Sequence, residues 1–125
     1  MNTFILDIDH VQIAAPPGCE AEARRFFGDL LALEEIEKPE RLHPRGGCWF
    51  KAGTRQLHIG AEDGFRPARK AHLAFAVSDV EAAFRVLEKA GVKCSWDDGI
   101  EGVRRFYLSD PWGNRLEFTE PTSNK

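Results

Sequence analysis

The chain repeats one pattern of secondary structure elements, and this repeat constrains the fold more than any other feature of the sequence. Each half begins with a strand, continues with a helix and ends with further strands. The predicted modules span residues 4–64 and 71–120 of the 125 residues, with a polar linker between them that turns basic at its end. A chain of this length buries roughly two-thirds of its unfolded surface, so its core needs no disulfide or structural metal.

The first module begins with an alternating run over residues 4–14, which predicts a strand. After the Pro-Pro-Gly break at residues 16–18, apolar residues recur at the spacing of an amphipathic helix. These residues are Ala23, Phe26, Phe27 and Leu30. The runs 48–52 and 55–59 flank a Gly-Thr turn and predict a hairpin.

The second module has a strand over residues 72–77, after which Ser78 and Glu81 predict a capping box at the start of a helix. Three more runs predict strands, at residues 92–96, 103–109 and 115–119. The predicted fold class is therefore α+β. Two tandem βαβββ modules form a curved mixed sheet, a trough, with the helices on its outer face.

Four side chains that can bind a metal ion are predicted to lie on the face of the sheet that is turned away from the helices. Alternation along the strands assigns them to that face, since their apolar neighbours are needed on the other. They are His10, His58, His72 and Glu117. The two histidines of the first strands lie 62 residues apart, and His58 and Glu117 of the last strands lie 59 apart. Imidazole and carboxylate bind zinc, nickel, iron(II), manganese and cobalt, so the sequence predicts a divalent metal site of open identity.

Composition argues against several other classes of protein. A net charge of −3 and a pI near 5.8 are unlike those of a nucleic-acid binder. No apolar run approaches the ~20 residues of a membrane span, and the first ten residues lack the basic region of a signal peptide. Three cysteines without close spacing indicate reduced thiols, so we expect a cytoplasmic protein.

With these motifs the chain resembles the vicinal oxygen chelate superfamily, which includes glyoxalase I, methylmalonyl-CoA epimerase, extradiol dioxygenases, fosfomycin-resistance enzymes and bleomycin-resistance proteins. The resemblance runs from Ile8 to Glu120, and its most specific parts are residues 9–13, 53–59 and 106–117. It implies a single glyoxalase-like domain over residues 1–125. It also implies a metal that chelates two adjacent oxygens of the substrate.

The resemblance implies that His10, His72 and Glu117 form a two-histidine, one-carboxylate triad. His58 stands where glyoxalase I has a glutamate and the epimerase a glutamine. Glu117 is the one ligand able to leave the metal and carry a proton. We therefore expect a lyase or isomerase that stabilises an enediolate. Two alternatives stay open: a dioxygenase or thiol transferase on the same triad, and a metal-free protein that sequesters a drug.

Four further residues are predicted to bind a small-molecule substrate: Arg105, Tyr107, Gln56 and Trp49. Tyr107 stands ten residues before Glu117, as a substrate-contacting tyrosine does in the fosfomycin branch. Arg105 shares its face by alternation and is suited to a carboxylate or phosphonate. The resemblance also implies a homodimer, which is the commonest symmetric assembly.

Overall fold

The computed structural model describes residues 3–121, which divide between Arg66 and Pro67 into two compact units. Unit 1 ends at Arg66, and unit 2 begins at Pro67. Each unit is built on a four-stranded sheet in which parallel and antiparallel pairs are mixed, with a helical segment accompanying it. The predicted α+β class is confirmed.

The sheet of unit 1 has the strand order β1-β4-β3-β2. Its strands are β1 (His10–Ala15), β2 (Glu34–Ile36), β3 (Cys48–Ala52) and β4 (Arg55–Ala61). β1 runs parallel to β4, and the other neighbours are antiparallel. The predicted hairpin is confirmed, because Ala52 of β3 pairs with Arg55 of β4 across the turn.

The helical segment of unit 1 begins as α1 (Glu20–Ala23) and continues as a π-helix (Arg24–Leu30). It buries Ala23, Phe26 and Phe27, as their spacing predicts, while Leu30 is only half-buried. The wider π turn rotates the later residues away from the stripe that an α-helix would present. Phe27 contacts Phe50 of β3, with ring centroids 6.0 Å apart. A short 3₁₀ helix (Glu40–Arg45) precedes β3.

Unit 2 repeats this plan with the strand order β5-β8-β7-β6. Its elements are β5 (Leu73–Ala76), α2 (Val80–Lys89), β6 (Ser95–Asp97), β7 (Arg105–Ser109) and β8 (Arg115–Thr119). Phe84 of α2 stacks on Trp96 at 4.6 Å and meets Phe106 edge-on at 5.2 Å. Aromatic contacts therefore join the helix to one face of the sheet.

Strand register confirms the predicted alternation in both units. Leu57 pairs with Val11 and Phe50, and Leu57 and Phe50 are fully buried. Leu116 and Phe118 take the same position in unit 2, and both are buried. The residues between them in sequence belong to the opposite face.

Two strands of unit 1, β1 and β2, depart from the prediction. Residues 3–9 form no strand, and β1 begins only at His10. β1 pairs with β4 only from His10 onward, opposite Gln56, so residues 3–9 have no paired neighbour in the sheet. The three-residue strand β2 was not predicted, since two of its residues are glutamates on a sheet edge.

The predicted cap of α2 was wrong by one residue. Asp79, not Ser78, is the N-cap, and its carboxylate accepts a hydrogen bond of 3.0 Å from the Ala82 amide. With Asp79 as the N-cap, Glu81 stands at the second helical position and not at the third, where a capping box needs its acid. Its carboxylate forms an ion pair with Arg104, the residue before β7.

The turn before β8 is organised by a buried carboxylate. Asp110 accepts hydrogen bonds from the backbone amides of Trp112 (3.0 Å) and Asn114 (2.8 Å) and from the Asn114 side-chain amide (2.8 Å). Burial raises the pKa of Asp110, while its hydrogen bonds with Asn114 act in the opposite direction. The turn therefore sets the point at which β8 begins.

Asp110→Ala removes the acceptor of two backbone amides, so we expect a loss of about 2–4 kcal/mol in the free energy of unfolding. Urea denaturation followed by circular dichroism measures this loss. The exposed Asp98 offers a matched control, since Asp98→Ala should change stability by less than about 0.5 kcal/mol. Equal effects of the two substitutions would contradict this role of Asp110.

Over residues 3–121, the helices are all too short or too polar to cross a lipid bilayer.

Candidate functional site

Unit 2 brings two of the predicted metal ligands into direct contact. Glu117 lies in the middle of β8, where it is 7% exposed between two buried apolar neighbours. His72 directly precedes β5, and its Nε2 lies 2.9 Å from Oε1 of Glu117. The other ring nitrogen of His72, Nδ1, lies 3.0 Å from the backbone carbonyl of Lys70.

This contact has a consequence for the protonation of His72. The Lys70 carbonyl only accepts hydrogen bonds, so Nδ1 carries a hydrogen and a neutral ring has its lone pair at Nε2. That lone pair faces Oε1 of Glu117, which is also an acceptor when ionised. A positive charge, either an added proton or a metal ion, is needed between these two atoms.

The donor pair fits a divalent ion. An imidazole nitrogen and a carboxylate oxygen are both ligands that divalent ions take. His72 and Glu117 already lie 2.9 Å apart, at hydrogen-bond distance, so together they would supply two ligands to one ion. Holding Nδ1 of the ligand histidine on a backbone carbonyl is also the usual support for metal binding through Nε2.

Arg105 joins Glu117 to a second carboxylate. One terminal nitrogen lies 3.4 Å from Oε2 of Glu117, and the other lies 3.1 Å from Oδ1 of Asp97. The Gly99 amide and then Arg105 keep the pKa of Asp97 below its usual value by hydrogen bonding to the carboxylate. Nε of Arg105 is buried without a hydrogen-bond partner among residues 3–121. The two terminal nitrogens of the guanidinium are thus each held by a carboxylate, one of Glu117 and one of Asp97.

Tyr107 lies on the same face and contacts three residues of this group. Its ring meets His72 edge-on, with centroids 5.5 Å apart. The guanidinium of Arg115 lies 3.9 Å from the ring centroid, and that of Arg105 lies 5.4 Å away. Unit 2 thus brings together the predicted residues Glu117, His72, Arg105 and Tyr107.

Unit 1 brings together the other two predicted ligands in a stack of rings. His58 is 5% exposed, and β1 and β3 flank its strand. Its ring stacks on Trp49 at 3.7 Å and on His10 at 4.3 Å. Nε2 of His58 lies 2.9 Å from Oε1 of Gln56, and Nδ1 of His10 lies 2.8 Å from Asp9. The predicted residues Trp49 and Gln56 therefore both contact His58.

His10 and His58 have different neighbours around their ring nitrogens, and these neighbours affect how each ring could bind an ion. Burial, followed by the nearby His10, lowers the pKa of His58 and favours its neutral form. Asp9 engages Nδ1 of His10, which leaves Nε2 available. The two ring planes are 21° from parallel and face each other, so their in-plane lone pairs do not meet at one point near both rings. One of the rings must turn if both are to bind the same ion.

Each unit thus supplies a pair of predicted ligands. Among residues 3–121, no group of three or more histidine, cysteine, aspartate or glutamate side chains is arranged to hold a metal ion.

Sequence reasoning missed three contributors to these pairs: Lys70, Asp97 and Arg115. Arg115 carried a usable signal, because it stands two residues before Glu117 in the same strand and shares its face by alternation. The Lys70 contact is made by a backbone carbonyl, and side-chain identity gives no signal of it. Asp97 lies one residue beyond the predicted strand 92–96, whereas in the structure it ends β6 and pairs with Arg105.

Comparison with known proteins places these observations in a family. A family model described as the Glyoxalase/Bleomycin resistance protein/Dioxygenase superfamily matches residues 8–118. A glyoxalase family protein from Bacillus anthracis is 51% identical, with a TM-score of 0.94, over 98% of this chain and 100% of that chain. No curated protein matches the chain.

Two more distant structures share the fold. Lactoylglutathione lyase from Agrobacterium tumefaciens is 22% identical, with a TM-score of 0.73, over 94% of this chain and 96% of that chain. A variant of the fosfomycin resistance protein FosX from Listeria monocytogenes, solved with Mn(II) and 1S,2S-dihydroxypropylphosphonic acid, is 18% identical. Its TM-score is 0.79, over 96% of this chain and 95% of that chain. The repeated sheets and the family match agree: the chain belongs to the Glyoxalase/Bleomycin resistance protein/Dioxygenase superfamily, which is the vicinal oxygen chelate superfamily.

Proposed function

We propose that this protein is a divalent-metal-dependent enzyme of lyase or isomerase type. Its substrate is a small molecule with two adjacent oxygens, and its chemistry is removal of a proton from the neighbouring carbon. His10, His72 and Glu117 are the proposed ligands, with His58 as the fourth. Membership of a superfamily that consists mostly of enzymes supports this class of function.

The observation that carries the proposal is the pairing of His72 with Glu117. The imidazole holds its Nδ1 on a backbone carbonyl and turns its Nε2 toward a buried carboxylate, 2.9 Å away. Divalent ions take both an imidazole nitrogen and a carboxylate oxygen as ligands. Their contact, in a family whose FosX member was solved with Mn(II), supports metal binding.

When bound, the ion would supply the positive charge that stabilises an enediolate formed at two adjacent oxygens. Glu117 is the base, because a carboxylate oxygen accepts a proton from the carbon and can return it. Arg105 holds Oε2 of Glu117 and so restricts its rotation. Burial of Glu117 keeps bulk water from competing for the proton. Trp49 and Gln56 remain proposed substrate contacts beside His58.

A metal titration tests the proposal. After chelator treatment, isothermal titration calorimetry with Zn²⁺, Ni²⁺ or Mn²⁺ should show one ion bound per copy of the chain. His72→Ala and His10→Ala should each weaken binding by at least the roughly 10–100-fold that loss of a residue supporting a ligand costs. His43→Ala is the matched control, because His43 is exposed in the 3₁₀ helix and should leave the affinity unchanged. The proposal fails if none of these ions binds, or if His43→Ala has the same effect as His72→Ala.

A second candidate is transfer of a thiol to a phosphonate substrate, the fosfomycin-resistance alternative of the sequence analysis. The contact of Tyr107 with His72 and with two guanidinium groups favours it. Loss of fosfomycin on incubation with a thiol and the metal-loaded protein, followed by ³¹P NMR, would support this candidate over the first. Oxygen uptake with a catechol would instead indicate ring cleavage, and drug binding without any metal would indicate sequestration.

A further inference from the structure

The two arginines beside Tyr107 differ in the groups that their guanidiniums contact. Arg105 is 17% exposed at its side chain, and both of its terminal nitrogens contact carboxylates. Arg115 is half-buried, and its guanidinium forms no hydrogen bond or ion pair within the part of the chain that the structure describes. Its guanidinium stacks on Tyr107, which orients it while leaving its N–H groups free to donate.

The contacts of the two arginines favour an anionic ligand at Arg115. Arg105 already faces the carboxylates of Asp97 and Glu117, whereas the guanidinium of Arg115 faces an aromatic ring. A guanidinium is the side chain best suited to hold a negatively charged group through two N–H donors.

The geometry points to Arg115 as the residue that binds an anionic group of the substrate, a carboxylate or a phosphonate, with Tyr107 as the platform that orients it. Arg105, the residue that the sequence analysis favoured, is a positioning residue that holds Glu117. This inference rests on the proposed function, because it names the class of substrate for the same site. The substrate then carries two adjacent oxygens and a separate anionic group.

Tyr107 gives a direct probe, since it is the only tyrosine of the chain. Protein labelled with 3-fluorotyrosine has a single ¹⁹F signal, which reports on the ring that Arg115 contacts. Titration of the metal-free, full-length protein with methylphosphonate and, separately, with acetate should shift this signal saturably. The relative affinities of the two ions distinguish a phosphonate from a carboxylate as the preferred group. Neutral propane-1,2-diol should leave the signal in place.

Matched arginine variants decide which residue binds the anion. Arg115→Gln should weaken binding at least tenfold, because it removes a charge-assisted pair of hydrogen bonds. Arg115→Lys should retain part of the affinity, and Arg85→Gln, at an exposed position on α2, should retain all of it. A larger loss in Arg105→Gln than in Arg115→Gln would overturn the inference, as would an unshifted wild-type signal. Because no metal is present in this titration, its failure is separate from failure of the metal titration.

Discussion

Glu117→Gln should lower the rate of proton abstraction by about three orders of magnitude while the protein stays folded. The amide keeps the shape of the carboxylate but cannot accept a proton, and general-base catalysis contributes roughly 10²–10⁴-fold. Its nitrogen can also donate to Nε2 of His72, so the contact between the two strands survives. The rate is measured as deuterium uptake from D₂O into α-hydroxy carbonyl substrates, followed by ¹H NMR.

Two controls make the result specific to Glu117. Glu101→Gln removes the same charge from an exposed loop and should keep the wild-type rate. Metal content, measured by elemental analysis of both variants, separates loss of the base from loss of the ion. If Glu117→Gln retains full activity with metal bound, Glu117 is not the base and the proposed mechanism is wrong.

Gly47→Ala should destabilise unit 1 by about 3–5 kcal/mol, a large part of the stability of a small domain. Gly47 has φ +82, where a side chain costs roughly 1–2 kcal/mol. An added Cβ would lie 2.0 Å from the carbonyl oxygen of Ile59, which belongs to the backbone of β4. Since Ile59 pairs with Cys48 in the sheet, the clash cannot be relieved without moving the strand.

Gly53 provides the matched control at the other end of β3. It also has a positive φ, +62, but an added Cβ would meet no described atom within 4 Å. Gly53→Ala should therefore cost only about 1–2 kcal/mol. Urea unfolding of both variants measures their loss of stability. Equal midpoints of unfolding would show that the close approach of the added Cβ to Ile59 does not lower the stability of unit 1.

The faces of the strands could be predicted from the sequence because alternation is a local property of extended backbone. Burial of Leu57 and Leu116 requires their neighbours His58 and Glu117 to lie on the other face, whatever the rest of the fold does. The repeat extends this reasoning from one module to the other. The turn at Asp110 is local as well, since its hydrogen-bond partners are two and four residues away.

The ends of elements depended on contacts that local sequence does not contain. β1 is shorter than its apolar pattern suggests because its pairing with β4 begins only at His10, opposite Gln56. α2 has Asp79 and not Ser78 as its N-cap, so Ala82 and not Glu81 stands at the third helical position, where a capping box needs its acid. The carboxylate of Glu81 pairs instead with Arg104, 23 residues away.

By itself, then, the sequence determined the duplicated α+β plan, the helix-facing core and the set of side chains on the opposite face. All of these follow from periodicity, which a backbone imposes residue by residue. Only the tertiary structure decided which charges meet there: that Nδ1 of His72 is held by Lys70, that Arg105 is occupied by Asp97 and Glu117, and that Arg115 is left with Tyr107. Hydrogen bonds and ion pairs act over about 3 Å, and distances that short between residues up to 45 positions apart are set by the folded chain.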